Sequence, residues 1–272
     1  MAGRLIPPGA PGASSSWPPA RPFPPTDWTA VTDSLPTSAE GRFSDIWALA
    51  DGIPGWLTEG QAALLHEQAG SLEPGSTAVE IGSHRGRSTV VLAHALREGG
   101  GRLVAIDPFV DGRLFGGRRT RDDFERHVAM AGMDDTVELV CDYSTAARTS
   151  WTRPFGLLYI DGKHDYWTVS DDLRWRVHLP EGAPVLVHDC FSSIGVTLGI
   201  LRHVLPSRDL RYERREGSLA LFRVGRPTGR DLLRILGELP WWARNVVLKV
   251  LLRLRLRPVA RVLGHDSPYD PY

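Results

Sequence analysis

The chain has 272 residues, of which 42% are hydrophobic and 24% charged, and its formal net charge is zero. This length allows one sizeable domain with extensions or two small ones, and a neutral chain gives no overall field that would favour nucleic acid. Only two cysteines occur, Cys141 and Cys190, which argues against a disulfide framework or a thiolate zinc site and favours a reducing, cytoplasmic compartment. The first residues have no apolar signal-peptide core, and no run of about 20 apolar residues predicts a membrane span.

The N-terminal part of the sequence divides into an arm and a helical segment. Residues 1–38 are rich in Pro, Ser and Gly and show little periodicity, which predicts a disordered arm. Residues 39–73 contain patterns typical of two short helices, the second in "TEGQAALLHEQAGSL".

From residue 74 to residue 225, short apolar runs alternate with helical patterns. The runs end in turn at Gly82, Asp107, Asp142, Asp161 and Asp189. Apolar strands alternating with helices predict a parallel sheet covered on both faces, and right-handed crossovers make it doubly wound. The last two runs, "LRYERRE" and "SLALFRV", predict an antiparallel hairpin that turns at Gly217.

The strand-terminal residues are expected to meet at one edge of this sheet, where ligands bind in doubly wound folds. Gly82 and Gly86 allow the backbone to approach a ligand closely. Their spacing matches neither the dinucleotide fingerprint nor the phosphate loop, so a pyrophosphate site is disfavoured. Glu80 would face a cation or an amine, and Asp107 stands where a carboxylate often binds a ribose diol. The alternative is that Glu80 is a surface residue and Asp107 forms a turn before Pro108.

The segments "VEIGSHRGRST", "LVAIDPF", "VCDYS", "LLYIDGKHDYWTVSDDLRW" and "LPEGAPVLVHD" resemble class I S-adenosylmethionine-dependent methyltransferases. The resemblance covers about residues 74–224 and is greatest to the branch of macrolide and glycoside sugar O-methyltransferases. It implies a Rossmann-like seven-stranded sheet with an antiparallel last strand, S-adenosylmethionine as cofactor, and a sugar hydroxyl as acceptor. The acceptor would belong to a glycoside, a glycolipid or a secondary metabolite.

The resemblance also implies roles for individual residues. The methionine part of the cofactor would be lined by Glu80, Gly82 and Ser83, with Ser88 nearby. Asp107 would bind the ribose hydroxyls. The adenine would be flanked by Asp142 and Tyr143. His164 would be the general base. Asp161, His188 and Asp189 would hold a divalent metal, although His188 stands where the family has an acidic residue.

The chemistry of methyl transfer agrees with these roles. A sugar hydroxyl has a very high pKa, so a base that takes its proton, or a divalent metal that lowers its pKa, would help it to react. His164 suits the first role, and carboxylates suit Mg²⁺ in the second. His188 favours a softer metal such as Mn²⁺, Fe²⁺ or Zn²⁺. Two alternatives are open: fewer protein ligands supplemented by water, or no metal at all, with His188 and Asp189 acting as a base and its orienting partner.

Other functions are compatible with part of this pattern. A metal-independent methyltransferase of a non-sugar small molecule and a related hydroxylase are alternatives. A non-catalytic protein that binds the cofactor is a third, although retention of Asp161, His164 and Asp189 argues against it. A Rossmann dehydrogenase would require a glycine fingerprint that is not present.

The C-terminal extension, residues 226–272, is basic. Pro240 and Pro258 are expected to bracket one helix, with a charged side formed by Lys249, Arg253 and Arg257 and an apolar stripe formed by Ala243, Val247, Val250, Leu251 and Leu254. Such a helix predicts either peripheral membrane contact through residues 241–257 or packing on the chain's own domain or on a second copy in a homo-oligomer.

Overall fold

The computed structural model describes residues 39–112 and 116–265. The predicted N-terminal arm, residues 1–38, lies outside the described residues. Helix α1 (Ala39–Asp51) and helix α2 (Glu59–Gly70) come first. A capping box starts α2, in which the side chains of Thr58 and Gln61 each accept a hydrogen bond from the other's backbone N–H.

Alternating strands and helices follow. The strands are β1 (Thr77–Ile81), β2 (Arg102–Ile106), β3 (Val137–Val140), β4 (Leu157–Ile160), β5 (Pro184–Val187), β6 (Leu210–Glu216) and β7 (Leu219–Val224). The helices are α3 (Arg87–Arg97), α4 (Arg118–Met130), α5 (Ser144–Thr149), α6 (Tyr166–Asp172), α7 (Ile194–Val204), α8 (Gly229–Arg253) and α9 (Arg257–Val262).

The described strands form one seven-stranded sheet in the order β3-β2-β1-β4-β5-β7-β6. Strands β1 to β5 are parallel, whereas β7 runs antiparallel to both β5 and β6. The predicted fold class is therefore confirmed. The hairpin between β6 and β7 turns at Gly217, whose φ of 55° suits a residue without a side chain.

Each face of the sheet packs on its own apolar layer. Along β4, Leu157 and Tyr159 join the layer under α1, α2 and α3, while Leu158 and Ile160 join the layer on the opposite face. All four residues are buried because successive side chains of a strand point to opposite faces and both faces are covered. This packing explains why the strands appear in the sequence as continuous apolar runs.

Two helix predictions differ from the structure. The helix predicted after β4 ends as α6 at Asp172 and continues as a 3₁₀ helix, Leu173–His178. Pro240 was expected to begin a helix but lies inside α8, so that boundary was wrong. The proline removes a hydrogen bond to the carbonyl of Leu236. Pro240 and Leu236 are both exposed, so water can hydrogen-bond to that carbonyl.

Among residues 39–112 and 116–265, no helix has both the length and the apolar character that crossing a bilayer requires.

Candidate active site

A cavity of about 850 Å³ opens at the carboxyl edge of the parallel strands. Its walls come from the turns after β1, β2, β4 and β5, from the start of α5 and from the segment before α2. It is lined by most of the predicted site residues: Gly82, Ser83, Ser88, Asp107, Tyr143, Asp161, His164, His188 and Asp189. The structure thus places five of the seven predicted cofactor residues around the same space as the predicted catalytic residues.

Gly82 sits where the turns after β1 and β4 meet. Its φ is 87°, and a Cβ on this residue would lie 2.6 Å from the backbone carbon of Asp161 and 2.7 Å from the Cα of Gly162. Real Cβ atoms do not approach backbone so closely, so only glycine fits here. This contact brings the end of β1 directly against the turn that carries Asp161.

Glu80 does not line the cavity but lies behind its wall, fully buried within β1. Its two carboxylate oxygens accept hydrogen bonds of 2.5 Å from the hydroxyls of Ser88 and Thr89, in the first turn of α3. Burial raises the pKa of Glu80 to about 7, against the opposing effect of these hydrogen bonds. Its visible role is to hold the start of α3 against β1.

Asp107 connects the turns after β1 and β2. One carboxylate oxygen accepts the N–H groups of Ser83 and His84, both at 3.0 Å, and the other accepts the N–H of Phe109 at 2.9 Å. Burial raises the pKa of Asp107, and the three backbone hydrogen bonds oppose that rise. A carboxylate has about four acceptor positions, so Asp107 can still accept a hydrogen bond from a ligand hydroxyl.

Asp142 lies outside the lining of the cavity. Its side chain is exposed, and its carboxylate accepts the backbone N–H of Tyr143 at 2.7 Å. The neighbouring Tyr143 does line the cavity and exposes 53% of its surface, so its ring is available to a ligand.

His164 bridges two carboxylates at the mouth of the cavity. Its Nε2 lies 3.3 Å from Oδ1 of Asp161, and its Nδ1 lies 2.8 Å from Oδ2 of Asp189. Because carboxylates accept hydrogen bonds and both ring nitrogens face one, the doubly protonated imidazolium fits this position best. The ring remains nearly half exposed, with 45% of the side chain accessible.

His188 lies below His164 and is buried. Its Nδ1 is 3.3 Å from Oδ1 of Asp161 and 3.5 Å from Oδ1 of Asp189, and its Nε2 is 3.2 Å from Oε1 of Gln61. The same Gln61 oxygen accepts the backbone N–H of Thr58, so it is an acceptor and His188 carries a proton on Nε2. Helix α2 thereby helps to orient the cluster from outside the sheet.

The remaining oxygens of the two carboxylates also have partners. The hydroxyl of Tyr159 donates to Oδ2 of Asp161 at 2.9 Å, and the hydroxyl of Ser192 donates to Oδ1 of Asp189 at 3.2 Å. Asp189 has a φ of 57°, a left-handed conformation that aspartate tolerates better than most residues. Such backbone strain is often found at functional sites.

The four side chains shift one another's proton affinities. Burial alone would lower the pKa of His164, but Asp161 and Asp189 outweigh it and raise the pKa to about 10. Burial would likewise lower the pKa of His188, but the charge and hydrogen bond of Asp161 outweigh burial and raise it. In turn the two histidines hold the pKa of both carboxylates below its usual range, against the effect of burial. At neutral pH the cluster therefore contains two carboxylates and a protonated His164.

In the described parts of the chain, no group of three or more His, Cys, Asp or Glu side chains is arranged to hold a metal ion. At the predicted metal ligands, Asp161 and Asp189, the ring of His164 already contacts both carboxylates. A divalent cation bound there would compete with a positively charged ring. The arrangement is therefore a pair of carboxylates compensated by histidine and does not fit the predicted metal centre.

Asp172 is a cavity residue that the sequence reading missed. It is 1% exposed, and its Oδ1 accepts a hydrogen bond from the hydroxyl of Ser144 at 2.5 Å. Its buried Oδ2 has no hydrogen-bond partner among the described residues. Burial raises the pKa of Asp172 to about 7. In the sequence it is one of several acidic residues on a helix, and no local pattern separates it from the solvated ones.

Trp56 is a second missed residue. It lies between α1 and α2, lines the cavity together with Gly55 and Leu57, and has its ring centroid 5.4 Å from that of His84. The N-terminal helical segment therefore supplies one wall of the cavity. The rule that ligands bind beyond the carboxyl ends of parallel strands does not predict this wall, because the wall comes from the segment between α1 and α2, which precedes the first strand.

Comparison with known protein families identifies the central part of the chain. Residues 79–190 match a family model described as a methyltransferase domain. The match runs from within β1 to the turn after β5, and so includes the turns that line the cavity. This match confirms the enzyme class predicted from the sequence, an S-adenosylmethionine-dependent methyltransferase.

Solved structures share the fold. Cofactor-bound Rv0187 from MTB is 21% identical with a TM-score of 0.52, and the alignment covers 75% of this chain and 98% of that one. An O-methyltransferase from Bacillus cereus in complex with SAH is 17% identical with a TM-score of 0.51, covering 73% and 96%. The O-methyltransferase TomG from Streptomyces achromogenes, in complex with SAM, is 20% identical with a TM-score of 0.50, covering 73% and 95%.

Proposed function

We propose that this methyltransferase transfers a methyl group from S-adenosylmethionine to a hydroxyl of a sugar, with His164 as the general base and without a metal ion. The observation that carries the proposal is the shared cavity, in which Asp107 and Gly82 lie on the same walls as the cluster of His164 with Asp161 and Asp189. A methyl donor and an acceptor hydroxyl can meet there.

The cofactor part of the proposal is supported by the residues around β1 and β2. When bound, S-adenosylmethionine supplies an electrophilic methyl group on a sulfonium centre. Asp107 would accept the ribose hydroxyls, Gly82 and Ser83 would lie against the methionine part, and Tyr143 would flank the adenine. Gly82 fits this role because its missing side chain permits close approach. Two solved structures of similar fold are complexes with SAH or SAM, which supports the same cofactor here.

The proton part of the proposal assigns the neutral form of His164 as the base. As the methyl group passes from the sulfonium sulfur to the acceptor oxygen, the C–S bond would break and SAH would leave. The hydroxyl proton would move to Nε2 of His164, whose contact with Asp161 is the longer of its two at 3.3 Å, and the carboxylates of Asp161 and Asp189 would stabilise the imidazolium that forms. A positioned base of this kind typically contributes about 10²–10⁴-fold. The same carboxylates keep His164 protonated at rest, so only about one molecule in 10³ holds neutral His164 at pH 7.

The absence of a metal step follows from the donor set. The sequence left open a metal at Asp161, His188 and Asp189, or no metal, with His188 and Asp189 acting as a base and its orienting partner. We propose that no metal binds, because His164 already contacts both carboxylates, and that His164 rather than the buried His188 is the base. Metal binding at these residues can be measured directly.

The acceptor class is supported by the resemblance and by the walls of the cavity. A sugar has an apolar C–H face and several hydroxyl groups. Trp56 offers an aromatic wall, while Lys163 and His164 offer polar groups at the mouth. A non-sugar small molecule is the second candidate, because an aromatic ring can stack on Trp56 as well as a sugar can.

The cofactor is tested by titration calorimetry of the full chain with SAH, SAM and NAD. We expect SAH and SAM to bind, NAD not to bind, and Asp107→Ala to weaken SAH binding by at least about tenfold, since a lost charged hydrogen bond costs about 1.5–3 kcal/mol. Asp134→Ala, at an exposed carboxylate outside the cavity, is the matched control. Tight NAD binding without SAH binding would overturn the assignment.

The acceptor is tested by incubating the chain with SAM and a panel of glycosides, phenols and simple alcohols. We expect SAH formation together with a product one methyl group heavier from glycosides. Methylation of phenols alone would replace the sugar by the second candidate.

A further inference from the structure

Helix α8 presents an apolar stripe to solvent. Exposed apolar residues recur along it at alternating spacings of three and four, and so lie along one side: Leu233, Leu236, Ala243, Val247, Val250 and Leu254. Pro240 continues the same series and is also exposed. At 1.5 Å per residue the stripe is about 30 Å long. A stripe of this length on a soluble domain usually marks a contact surface.

The opposite side of α8 is anchored to the domain. Asn245 is fully buried and donates to the carbonyl of Phe191 at 3.2 Å. Glu238 accepts hydrogen bonds of 2.7 Å from both Tyr212 and Arg215 on β6, and the Arg215 guanidinium lies 3.9 Å from the ring centroid of Trp241. The stripe is therefore exposed because the other face of the helix is packed.

Helix α9 extends the exposed apolar surface. Arg244 holds it against α8 by donating to the carbonyls of Leu263 and Gly264 at 2.7 and 3.0 Å. Val259 and Val262 on α9 are exposed, Val262 to 86%. The α8 stripe and these residues are together called the α8–α9 face.

The charge around this face has one sign. Residues 226–265 contain nine arginine and lysine residues and only two acidic ones, Asp231 and Glu238. Asp231 is bonded to Thr228 in the N-terminal cap of α8, and Glu238 is bonded to β6. Because the whole chain is neutral, the excess of positive charge is local. The exposed members beside the apolar residues are Arg253, Arg255, Arg257 and Arg261.

These two properties decide between the partners that a long apolar stripe could have. A second copy of the chain would bring two basic faces together, and like charges at an interface oppose association. An anionic bilayer can bind both the apolar stripe and the positive charges. The apolar side chains enter the boundary between headgroups and acyl chains, while the arginines bind the lipid phosphates. We propose that the α8–α9 face docks this protein on the surface of an anionic membrane.

The docking helix is linked to the active site. Phe191, which accepts the hydrogen bond from Asn245, lies two residues after Asp189 in the turn that follows β5. Docking would thus place the edge of the sheet that carries the cavity at a fixed distance from the lipid. The docking proposal stands on the α8–α9 face alone and does not depend on the acceptor proposed above.

The test is co-sedimentation of the full chain with vesicles of phosphatidylcholine alone and of phosphatidylcholine mixed with phosphatidylglycerol. We expect binding to the anionic vesicles only, weakened by salt. Arg253→Gln with Arg257→Gln should lower the partition coefficient roughly 30-fold, at about 1 kcal/mol for each arginine. Val247→Asp with Val250→Asp should abolish binding. The matched control Val177→Asp changes a residue that is 71% exposed on another element and should leave binding unchanged.

Circular dichroism and SAH titration of each variant establish that it is folded. Equal binding to both kinds of vesicle, or no binding to either, would overturn the proposal. So would light scattering that shows a dimer in the native chain and a monomer in the Val247→Asp, Val250→Asp variant, because the face would then be a contact between two copies.

Discussion

Nδ1 of His164 lies 2.8 Å from Oδ2 of Asp189, so the turn after β4 is tied to the turn after β5 through a titratable ring. The ring's other nitrogen faces Asp161, and the two carboxylates together raise the pKa of His164 to about 10. His164 is therefore a strong base when it has lost its proton, but in the resting enzyme at pH 7 it is protonated.

The first prediction is that turnover increases with pH. Because only neutral His164 can take the acceptor proton, kcat should rise close to tenfold per pH unit below the pKa of about 10. Steady-state rates at saturating SAM, measured from about pH 7 to pH 9, would show this. A flat profile over that range would remove His164 from the proton transfer.

The second prediction concerns replacement of His164. Near pH 10, where much of the native His164 is neutral, we expect His164→Gln to lower kcat by about 10²–10⁴-fold and to abolish the pH dependence, because glutamine cannot accept the proton. SAH affinity, measured by calorimetry, should stay nearly unchanged. His203→Gln is the matched control, since His203 lies on α7 and is not among the residues that line the cavity. Turnover of His164→Gln equal to that of the native chain near pH 10 would contradict the role proposed for this residue.

The third prediction is a loss of stability at alkaline pH. The pKa of His164 is raised from 6.5 to about 10 on folding, so its ion pairs stabilise the fold fully below pH 6.5. That contribution is lost as the pH rises towards 10. The carboxylate partners remain charged throughout this range, because their pKa values are lowered. Urea unfolding should show a difference between native chain and His164→Gln that shrinks from pH 6 to pH 10, and a constant difference would contradict it.

The fourth prediction concerns Asp172, whose buried Oδ2 finds no hydrogen-bond partner within residues 39–112 and 116–265. Asp172→Asn removes the charge but keeps an acceptor for Ser144, so we expect the free energy of unfolding to increase by about 1–3 kcal/mol at pH 8. The increase should disappear as the pH falls towards 4, because Asp172 is then protonated in the native chain.

The same variant should bind SAH more weakly if a ligand N–H donates to Asp172. Binding to the native chain would then stabilise the carboxylate and release a proton near pH 7, which calorimetry in buffers of different ionisation enthalpy detects. Asp171→Asn, on the neighbouring partly exposed carboxylate, is the control. A variant that is more stable and binds SAH as tightly as the native chain would show that Asp172 has no part in binding.

The fifth prediction is that turnover survives chelation. Since His164 occupies the carboxylates that a metal would need, activity after dialysis against EDTA should equal the initial activity, and added Mg²⁺ or Mn²⁺ should not increase it. Calorimetric titration with Mn²⁺ provides a readout that does not depend on turnover. Saturable Mn²⁺ binding that Asp161→Asn abolishes would restore the metal centre at Asp161, His188 and Asp189.

Much of the fold could be predicted because it is encoded locally. A continuous apolar run predicts a strand covered on both faces, and β4 with Leu157 to Ile160 buried on both sides is such a case. Pro240 shows the limit of this approach. As a helix breaker it predicts a boundary, but the helix continues through it. Leu236 and Pro240 are both exposed, so water can hydrogen-bond to the carbonyl that the proline cannot.

The sequence by itself determined the order of strands and helices, and with it the edge of the sheet where Gly82, Asp107, Asp161 and Asp189 meet, because parallel strands joined by right-handed crossovers have their carboxyl ends on one side. Only the tertiary structure decided what these residues contact. Glu80 lies behind the cavity wall and binds the hydroxyl of Ser88. Asp172 is buried and accepts a hydrogen bond from Ser144, and His188 contacts Gln61 across 127 positions of sequence. Such pairings depend on how layers pack, and packing is a property of the whole chain rather than of any local pattern.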